Sequence, residues 1–329
     1  MQCWNNPLAE RIDTILILSD RPDGQVKQLS SSFNKLGVKT LSMHLADIGF
    51  DSRYKSGLAI PGLDGALPAT VVVRSVSSGT FEAITRRLGI LHAFAHLGVP
   101  VWNSAKAIER CVDKSTTTFL LAQAGLPTPE TFTVENLENA RAIIEREIAS
   151  GPLVLKPLFG SQGRGIRLIN GPEDLPVPEE VDDVYYLQRF VARAGPPFRD
   201  YRVFTCGGEV LGMMARCADG WITNIAKGAK AEPVTGPLRL KLEALALAAS
   251  KAIGTDFAGI DIVPTSDGEL LVLEVNSMPA WSGLQSVVPV RVADRIAKAL
   301  TARVFPRFER DEEKCAAVFR PHPALTLIK

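Results

Sequence analysis

The chain of 329 residues has almost no net charge: 37 Lys and Arg stand against 36 Asp and Glu, leaving +1. No long-range field therefore draws it toward nucleic acid or an anionic membrane. No stretch approaches the roughly 18–20 uninterrupted apolar residues that span a bilayer, and no charged segment leading into an apolar stretch stands at its start. The reading is a cytoplasmic protein with no nucleic-acid and no membrane partner. The five cysteines (Cys3, Cys111, Cys206, Cys217, Cys315) are odd in number, scattered and without a C-x-x-C pair. That gives neither a disulfide framework nor a zinc site and predicts reduced, mostly buried thiols. Histidine is equally scarce. His92 and His96 lie four apart but lack the glutamate of H-E-x-x-H, so core or interface packing is expected for them rather than metal binding. There is no Gly-Lys dipeptide, hence no Walker loop, and no H-R-D or D-F-G set. The first strand-like segment runs into Ser19-Asp20-Arg21-Pro22-Asp23-Gly24 instead of G-x-G-x-x-G, which sets dinucleotide binding aside. Internal repeats and low-complexity tracts are absent from the sequence.

What is present is a 46% apolar composition, enough for a core divided over two or three subdomains. The first hundred residues alternate strand-like and helix-like segments: strands over 14–19, 39–43, 70–74 and 99–102, with helices over 26–36 and 80–97. This pattern predicts an α/β layer with a mainly parallel sheet, ending near residue 105. A helical pattern fills 104–125, and a second amphipathic helix, 135–148, leads into a strand at 153–156. Later strands are expected at 184–190, 201–206 and 209–215, the last two joined by Gly207-Gly208, a hairpin signal. A long helix follows, marked by Leu238, Leu242, Leu245 and Ala249 and stopped by Gly254.

Three segments carry chemistry. In the first, an apolar strand delivers Lys156 into a loop with Gly160, Gly163 and Gly165, glycines that let backbone N–H groups approach phosphate oxygens; an ordinary turn would use the same glycines. In the second, strands 258–263 and 270–276 flank Thr265-Ser266-Asp267-Gly268. With Pro264 facing Glu269, Asp261 is expected to face Val272. Strand alternation then brings Glu274 and Asn276 to the same face. Three oxygen donors on one face suit a hard dication such as Mg²⁺. An unpaired carboxylate inside strands this apolar would be costly. In the third, Gln188 to Val191 end a strand before Asp200-Tyr201-Arg202, and Arg216 ends the hairpin partner. Guanidinium groups there could hold phosphoryl oxygens; a surface ion pair between Asp200 and Arg202 is the plainer alternative.

Together, Asp113-Lys114, Lys156 with Phe159-Gly160-Ser161-Gln162-Gly163-Arg164-Gly165, Gln188 to Val191, Asp200-x-Arg202, Asn224, Asp261 and Glu274-x-Asn276 resemble the ATP-grasp superfamily, and within it the RimK-type carboxylate–amine ligases. The resemblance spans about residues 70–300. It implies an α/β fold, α+β in the ATP-grasp part: an N-terminal parallel-sheet layer over 1–105 on the substrate side, a two-subdomain ATP-grasp fold over 106–305 and a tail at 306–329. Within the second part, the lid would cover about 128–190 and the catalytic subdomain 191–305. It further implies that Lys114 and Lys156 reach the phosphates of ATP, and that the loop from Gly160 through Ser161, Gln162 and Gly163 to Gly165 closes as a lid. Gln188, Phe190 and Val191 would line the adenine slot through backbone groups, with Asp200 near the ribose. Asp261, Glu274 and Asn276 would hold Mg²⁺ (or Mn²⁺), and Arg202, Arg216 and Asn224 would face the γ-phosphate and the acyl group.

The implied activity is an ADP-forming ligase that activates a carboxylate as an acyl phosphate and transfers it to an amine. In this family the amine is commonly L-glutamate, added to a small cofactor, a peptide or a protein C-terminus. The pattern breaks at Arg189, where an acidic residue is usual, and at Thr223-Asn224, where a serine-asparagine pair is usual. It breaks again after the E-V-N turn, where Met278-Pro279-Ala280-Trp281 stands and Trp281 is expected to narrow the acceptor pocket. Arg74 and Ser75, at the end of an N-terminal strand, are expected to contact substrate. A rival reading is an ATP-binding regulatory protein without turnover. The intact Lys156, Asp261, Glu274 and Asn276 weigh against it. A homo-oligomer stays open.

Overall fold

The computed structural model describes residues 9–21, 23–160 and 163–305; Ser161, Gln162 and the tail from Pro306 lie outside the described residues. The first layer is a parallel sheet in the order β2-β1-β5-β6. Strand β1 (Arg11–Leu18) buries Ile15 to Leu18 completely, as a strand covered on both faces must. Helix α1 (Gly24–Lys35) starts where the Asp23 carboxylate accepts from the N–H groups of Gln25 and Val26. It lays Val26, Leu29 and Phe33 on the core. Strand β2 (Lys39–Met43) falls where the pattern puts it. A two-residue pair, β3 (Gly49–Phe50) with β4 (Leu58–Ala59), occupies a stretch that composition alone marks as turn. Strand β5 (Leu67–Val73), helix α2 (Phe81–His96, capped by Thr80) and β6 (Val101–Trp102) complete the layer.

The helical stretch over 104–125 is two helices, α3 (Ala105–Val112) and α4 (Lys114–Gln123). Asp113 breaks them: its carboxylate accepts from the N–H groups of Ser115 (2.9 Å) and Thr116 (3.3 Å) and so starts a new helix. Lys114 thereby becomes the first residue of α4. Next comes an antiparallel sheet in the order β7-β10-β8-β9. It comprises β7 (Thr131–Glu135), for which the pattern gives no expectation, α5 (Leu137–Glu147) packed on it, β8 (Leu153–Lys156), β9 (Arg167–Ile169) and β10 (Val184–Arg189).

The third sheet is antiparallel in the order β13-β12-β11-β14-β15. Strands β11 (Phe198–Cys206) and β12 (Glu209–Ala218) turn through Gly207 and Gly208, both at positive φ (61° and 88°), where a Cβ would be strained. Strand β13 (Lys230–Pro233), helix α6 (Leu238–Ile253), β14 (Phe257–Pro264), β15 (Leu270–Asn276), α7 (Ser282–Gln285) and α8 (Val292–Val304) follow. Helix α6 buries Leu242, Ala246, Ala249 and Ile253 against Val203, Ile260, Ile262, Val272 and Val275.

The expected register between β14 and β15 is corrected. Pro264 pairs with Leu270, and an irregularity between Asp261 and Ile262 sets Asp261 directly opposite Glu274. The bulge takes up one residue, so Val272 and Val275, three apart, both point into the core under α6. Asp261, Glu274 and Asn276 still share the other face, by a different pairing from the one the turn suggested.

One residue ties the first layer to this sheet. Asn103, buried just beyond β6, donates through Nδ2 to the carbonyls of Phe257 (2.6 Å) and Ser277 (2.5 Å). Its Oδ1 accepts from the N–H groups of Asp256 (2.6 Å) and Phe257 (2.9 Å). Cys111, Cys206 and Cys217 are free and buried. Burial pushes the thiols of Cys111 and Cys206 up to about 12, which keeps them out of nucleophilic chemistry. Among the described residues no helix is long and apolar enough to cross a membrane.

Candidate active site

A cleft opens between the second and third sheets. Seven basic side chains line it against three acidic ones, Asp200, Asp261 and Glu274. On the side of the second sheet stand Lys114, Lys156, Gly160, Gly163, Gln188, Phe190 and Val191; on the other stand Asp200, Arg202, Arg216, Asn224, Asp261, Glu274 and Asn276. The sequence motifs, spread over more than 160 residues, thus converge on one cavity.

Lys156 ends β8 and donates through Nζ to Gln188 Oε1 at 2.5 Å. Gln188 is held in turn by Nε2 bonds to Thr131 Oγ1 (3.1 Å) and Tyr186 Oη (3.2 Å). Burial pushes the Lys156 ammonium down to about 8, against the pull of Glu274. Lys114 donates from Nζ to the carbonyls of Leu158 (3.2 Å) and Gly160 (3.0 Å), so it grips the base of the glycine loop, and burial lowers its pKa as well. The far side of that loop is held by Lys227, whose Nζ donates to the Gly163 carbonyl at 2.7 Å.

The floor is a row of buried charges. Arg216 pairs with both oxygens of Asp200, at 2.7 Å each, and reaches Asp261 Oδ2 at 3.1 Å. Arg202 pairs with both oxygens of Asp261, at 2.6 Å each. Thr223 donates its hydroxyl to Asp200 Oδ2 at 2.5 Å. Burial opposes the charge of Arg216, but Asp261 and Asp200 more than offset it and hold the guanidinium above its ordinary pKa. Burial likewise works against the Asp261 carboxylate, and Arg202 with Arg216 keeps it below the ordinary range. The plain alternative, a surface pair between Asp200 and Arg202, is overturned: Asp200 pairs with Arg216, Arg202 pairs with Asp261, and Arg216 bridges the two acids in the interior. Asp200 stands in the cleft with both oxygens engaged by Arg216 and Thr223.

Asp261, Glu274 and Asn276 form an all-oxygen donor set, the kind a hard dication takes. Glu274 has no hydrogen bond among the described residues, and Asn276 uses only Nδ2, toward the Gly259 carbonyl at 3.3 Å. The Glu274 carboxylate and the Asn276 Oδ1 are therefore open to Mg²⁺, whereas Asp261 would share oxygens that Arg202 and Arg216 already engage. Among the described residues no group of three or more His, Cys, Asp or Glu is placed so that it could hold a metal ion by itself. Asn224 turns its Oδ1 to the N–H of Ala226 (2.8 Å) and keeps Nδ2 to donate.

Some expected residues lie elsewhere. Gly165 does not line the cleft; at φ +68° it sits where a Cβ would come within 2.8 Å of Pro157. Trp281 is 1% exposed in the core and donates to Gln28 Oε1 at 3.1 Å, so it narrows no pocket. Arg74 stacks on that indole, 4.5 Å from the ring centroid, and donates to Gln25 Oε1 and the Pro279 carbonyl, 3.0 Å each. Ser75 accepts from the Asp20 N–H at 2.7 Å. His92 and His96 are exposed, not core, and His92 pairs with Glu109 at 2.9 Å. Arg189 pairs with Glu147 (2.8 Å) and Glu130 (3.3 Å) beside the segment Gln188 to Val191, the hinge expected to line the adenine slot. Sequence reasoning missed Arg193 and Trp221, both lining the cleft. The signal was a tryptophan, one of four in the chain, two residues before Thr223-Asn224.

The model of the RimK-like ATP-grasp domain matches residues 111–300. A tetrahydromethanopterin:α-L-glutamate ligase of Methanococcus maripaludis is 34% identical over 294 residues, covering 85% of this chain and 95% of the relative. The α-aminoadipate–LysW ligase LysX of Saccharolobus solfataricus is 36% identical over 198 residues, 56% of this chain and 68% of the relative. The ATP-grasp ligase PsnB, solved with a minimal precursor, superposes with a TM-score of 0.68 at 19% identity over 88% of this chain and 98% of that one; at that identity the likeness is one of fold.

Proposed function

The chain belongs to the RimK-like ATP-grasp family of ligases, and on that premise we propose that it joins L-glutamate to the carboxylate of a small pterin-type cofactor at the expense of ATP. The observation that carries this reading is the convergence in one cleft of Lys114 and Lys156, the arginines 202 and 216, and the donors Asp261, Glu274 and Asn276. The relative from M. maripaludis bears that acceptor and amine in its name and covers most of this chain.

Lys114 and Lys156 neutralise the phosphates, and the loop from Gly160 to Gly165, gripped by Lys114 and Lys227, covers them. The backbone of Gln188, Phe190 and Val191 receives the adenine. The N–H of Phe190 is taken by the Pro152 carbonyl (3.0 Å), whereas that of Val191 has no such partner among the described residues. Asp200 positions Arg216. Glu274 and Asn276, with Asp261 beside them, would hold Mg²⁺, which would supply charge neutralisation to the phosphate oxygens. A substrate carboxylate oxygen attacks the γ-phosphorus, ADP leaves, and an acyl phosphate forms. The glutamate nitrogen then attacks the acyl carbon, phosphate leaves, and the amine gives up its proton. Arg202 and Arg216 face the charge that develops on the transferred group. No Ser, Cys or His nucleophile is required.

The test is ADP release by the purified chain from Mg-ATP with L-glutamate and tetrahydromethanopterin, products being weighed by mass spectrometry. ADP release that needs both substrates, with a product one glutamyl unit heavier, is expected. ADP release only with a metabolite or peptide extract would replace the acceptor. ATP binding with no release under any pool would favour the regulatory reading.

A further inference from the structure

Along the cleft floor the charges alternate in sign, with Arg202, Asp261, Arg216 and Asp200 each bonded to the next. Arg193 continues the row toward the hinge, and there the pairing stops. It sits two residues beyond Val191, lines the cleft and feels Asp200 electrostatically, yet makes no hydrogen bond to it. Asp200 is already engaged by Arg216 and Thr223. Arg193 donates from Nη2 to the Trp221 carbonyl and stands 5.8 Å from the Phe198 ring centroid. Its Nε is buried with no hydrogen-bond partner, and burial lowers its pKa. A half-buried guanidinium whose Nε is shut off from a partner, and which has no carboxylate of its own, carries an uncompensated cost that an oxyanion would relieve. Trp221, which it anchors, packs edge-on against Phe190 at 5.5 Å, so this wall faces the adenine hinge.

We propose that Arg193 is a further nucleotide-binding residue of the cleft, holding a phosphate oxygen on the hinge side of Arg216. A nucleotide running from the hinge to Glu274 would lay its phosphate chain across this floor, past Arg193. The inference rests on the reading of the cleft as a nucleotide site, and it adds to the contacts of Lys114 and Lys156 one from the loop between β10 and β11.

The test is calorimetric titration of the full chain with Mg-ADP and, separately, with adenosine, for wild type, Arg193→Gln, Arg193→Lys and Lys156→Ala. Arg193→Gln is expected to weaken ADP about tenfold, the usual worth of a hydrogen bond to a charged group, and to leave adenosine unchanged. Equal ADP affinity in Arg193→Gln and wild type, with Lys156→Ala still weakened, overturns the inference alone. Equal loss for ADP and adenosine also overturns it, because the residue then serves only the Trp221 wall. No ADP binding by wild type would overturn the nucleotide reading itself. Should Arg193→Gln unfold below the assay temperature, Arg193→Lys carries the test. Its ammonium keeps the charge without the fork, and an ADP affinity a few-fold weaker is expected, with adenosine unmoved; an unchanged ADP affinity overturns the proposal.

Discussion

The first sheet and the third bury their strands by opposite means. In the first, β1 and β5 are closed on both faces by aliphatic side chains from Ile15 to Leu18 and from Val71 to Val73, and the buried hydroxyl of Thr70 is satisfied by a backbone carbonyl, that of Pro100 at 2.9 Å. In the third, β11, β12 and β14 carry aliphatic residues on the α6 face. On the cleft face they carry Arg202, Arg216, Asp200 and Asp261, satisfied by one another and, at Asp200, by the Thr223 hydroxyl. Burial is cheap in the first case and conditional in the second, because each charge is tolerable only while its neighbour stays. A layer of the first kind stores stability. One of the second kind stores pre-organised charge, which is what phosphoryl chemistry demands.

Breaking the conditional layer should give the largest effect. Arg216→Ala leaves Asp200 and Asp261 buried and short of a cation, and is expected to cost about 3–5 kcal/mol in urea unfolding and to abolish turnover; a loss below 1 kcal/mol would show that the row is solvated. Glu274→Gln removes the one acid without a hydrogen bond. Turnover should fall about 10²–10³-fold with the unfolding midpoint unmoved, and near-normal Mg²⁺-dependent activity would remove Glu274 from the metal set.

A pH dependence sharpens the comparison further. Lys156 sits at about 8, below its ordinary 10.5, so the free protein loses that proton as pH rises through about 8, while phosphate favours the charged form. ATP affinity should fall above pH 8, and binding near pH 8–9 should take up a proton, measurable in two buffers of unlike ionisation heat. Identical heats in both would return Lys156 to a structural role. Smallest of all, Ile17→Val in the first sheet should cost about 0.5–1.5 kcal/mol and leave the KM for ATP untouched.

Much of this contrast was legible in the residues. The aliphatic run of β1, the 39–43 strand, the Gly207-Gly208 hairpin and the Gly254 stop are local signals, and each appears where it was expected. The charged face was legible as a set of positions but not as a set of pairs. Which acid takes which arginine depends on how β11 meets β14, and strand period says nothing about that. The β14–β15 register was missed by two residues: the turn is one residue longer than its sequence suggests, so Pro264 pairs with Leu270, and a bulge, which leaves no mark in composition, adds the second, so Glu274 and not Val272 stands opposite Asp261. Trp281 was misplaced for a related reason: its position after the E-V-N turn is visible, but the direction of the turn, set by Arg74 stacking on the indole, is not. Arg193 and Trp221 lie in loops, where no periodicity announces a facing side chain.

The amide of Asn103 has a consequence of a different order. By holding the start of β14 and the residue just after Asn276 with four hydrogen bonds, it acts as a gauge block between the two halves of the molecule. On the function proposed above, an acceptor held by the first layer would arrive at a fixed reach from Asp261 and Glu274, and the loops of that layer could be redrawn without disturbing the charged floor.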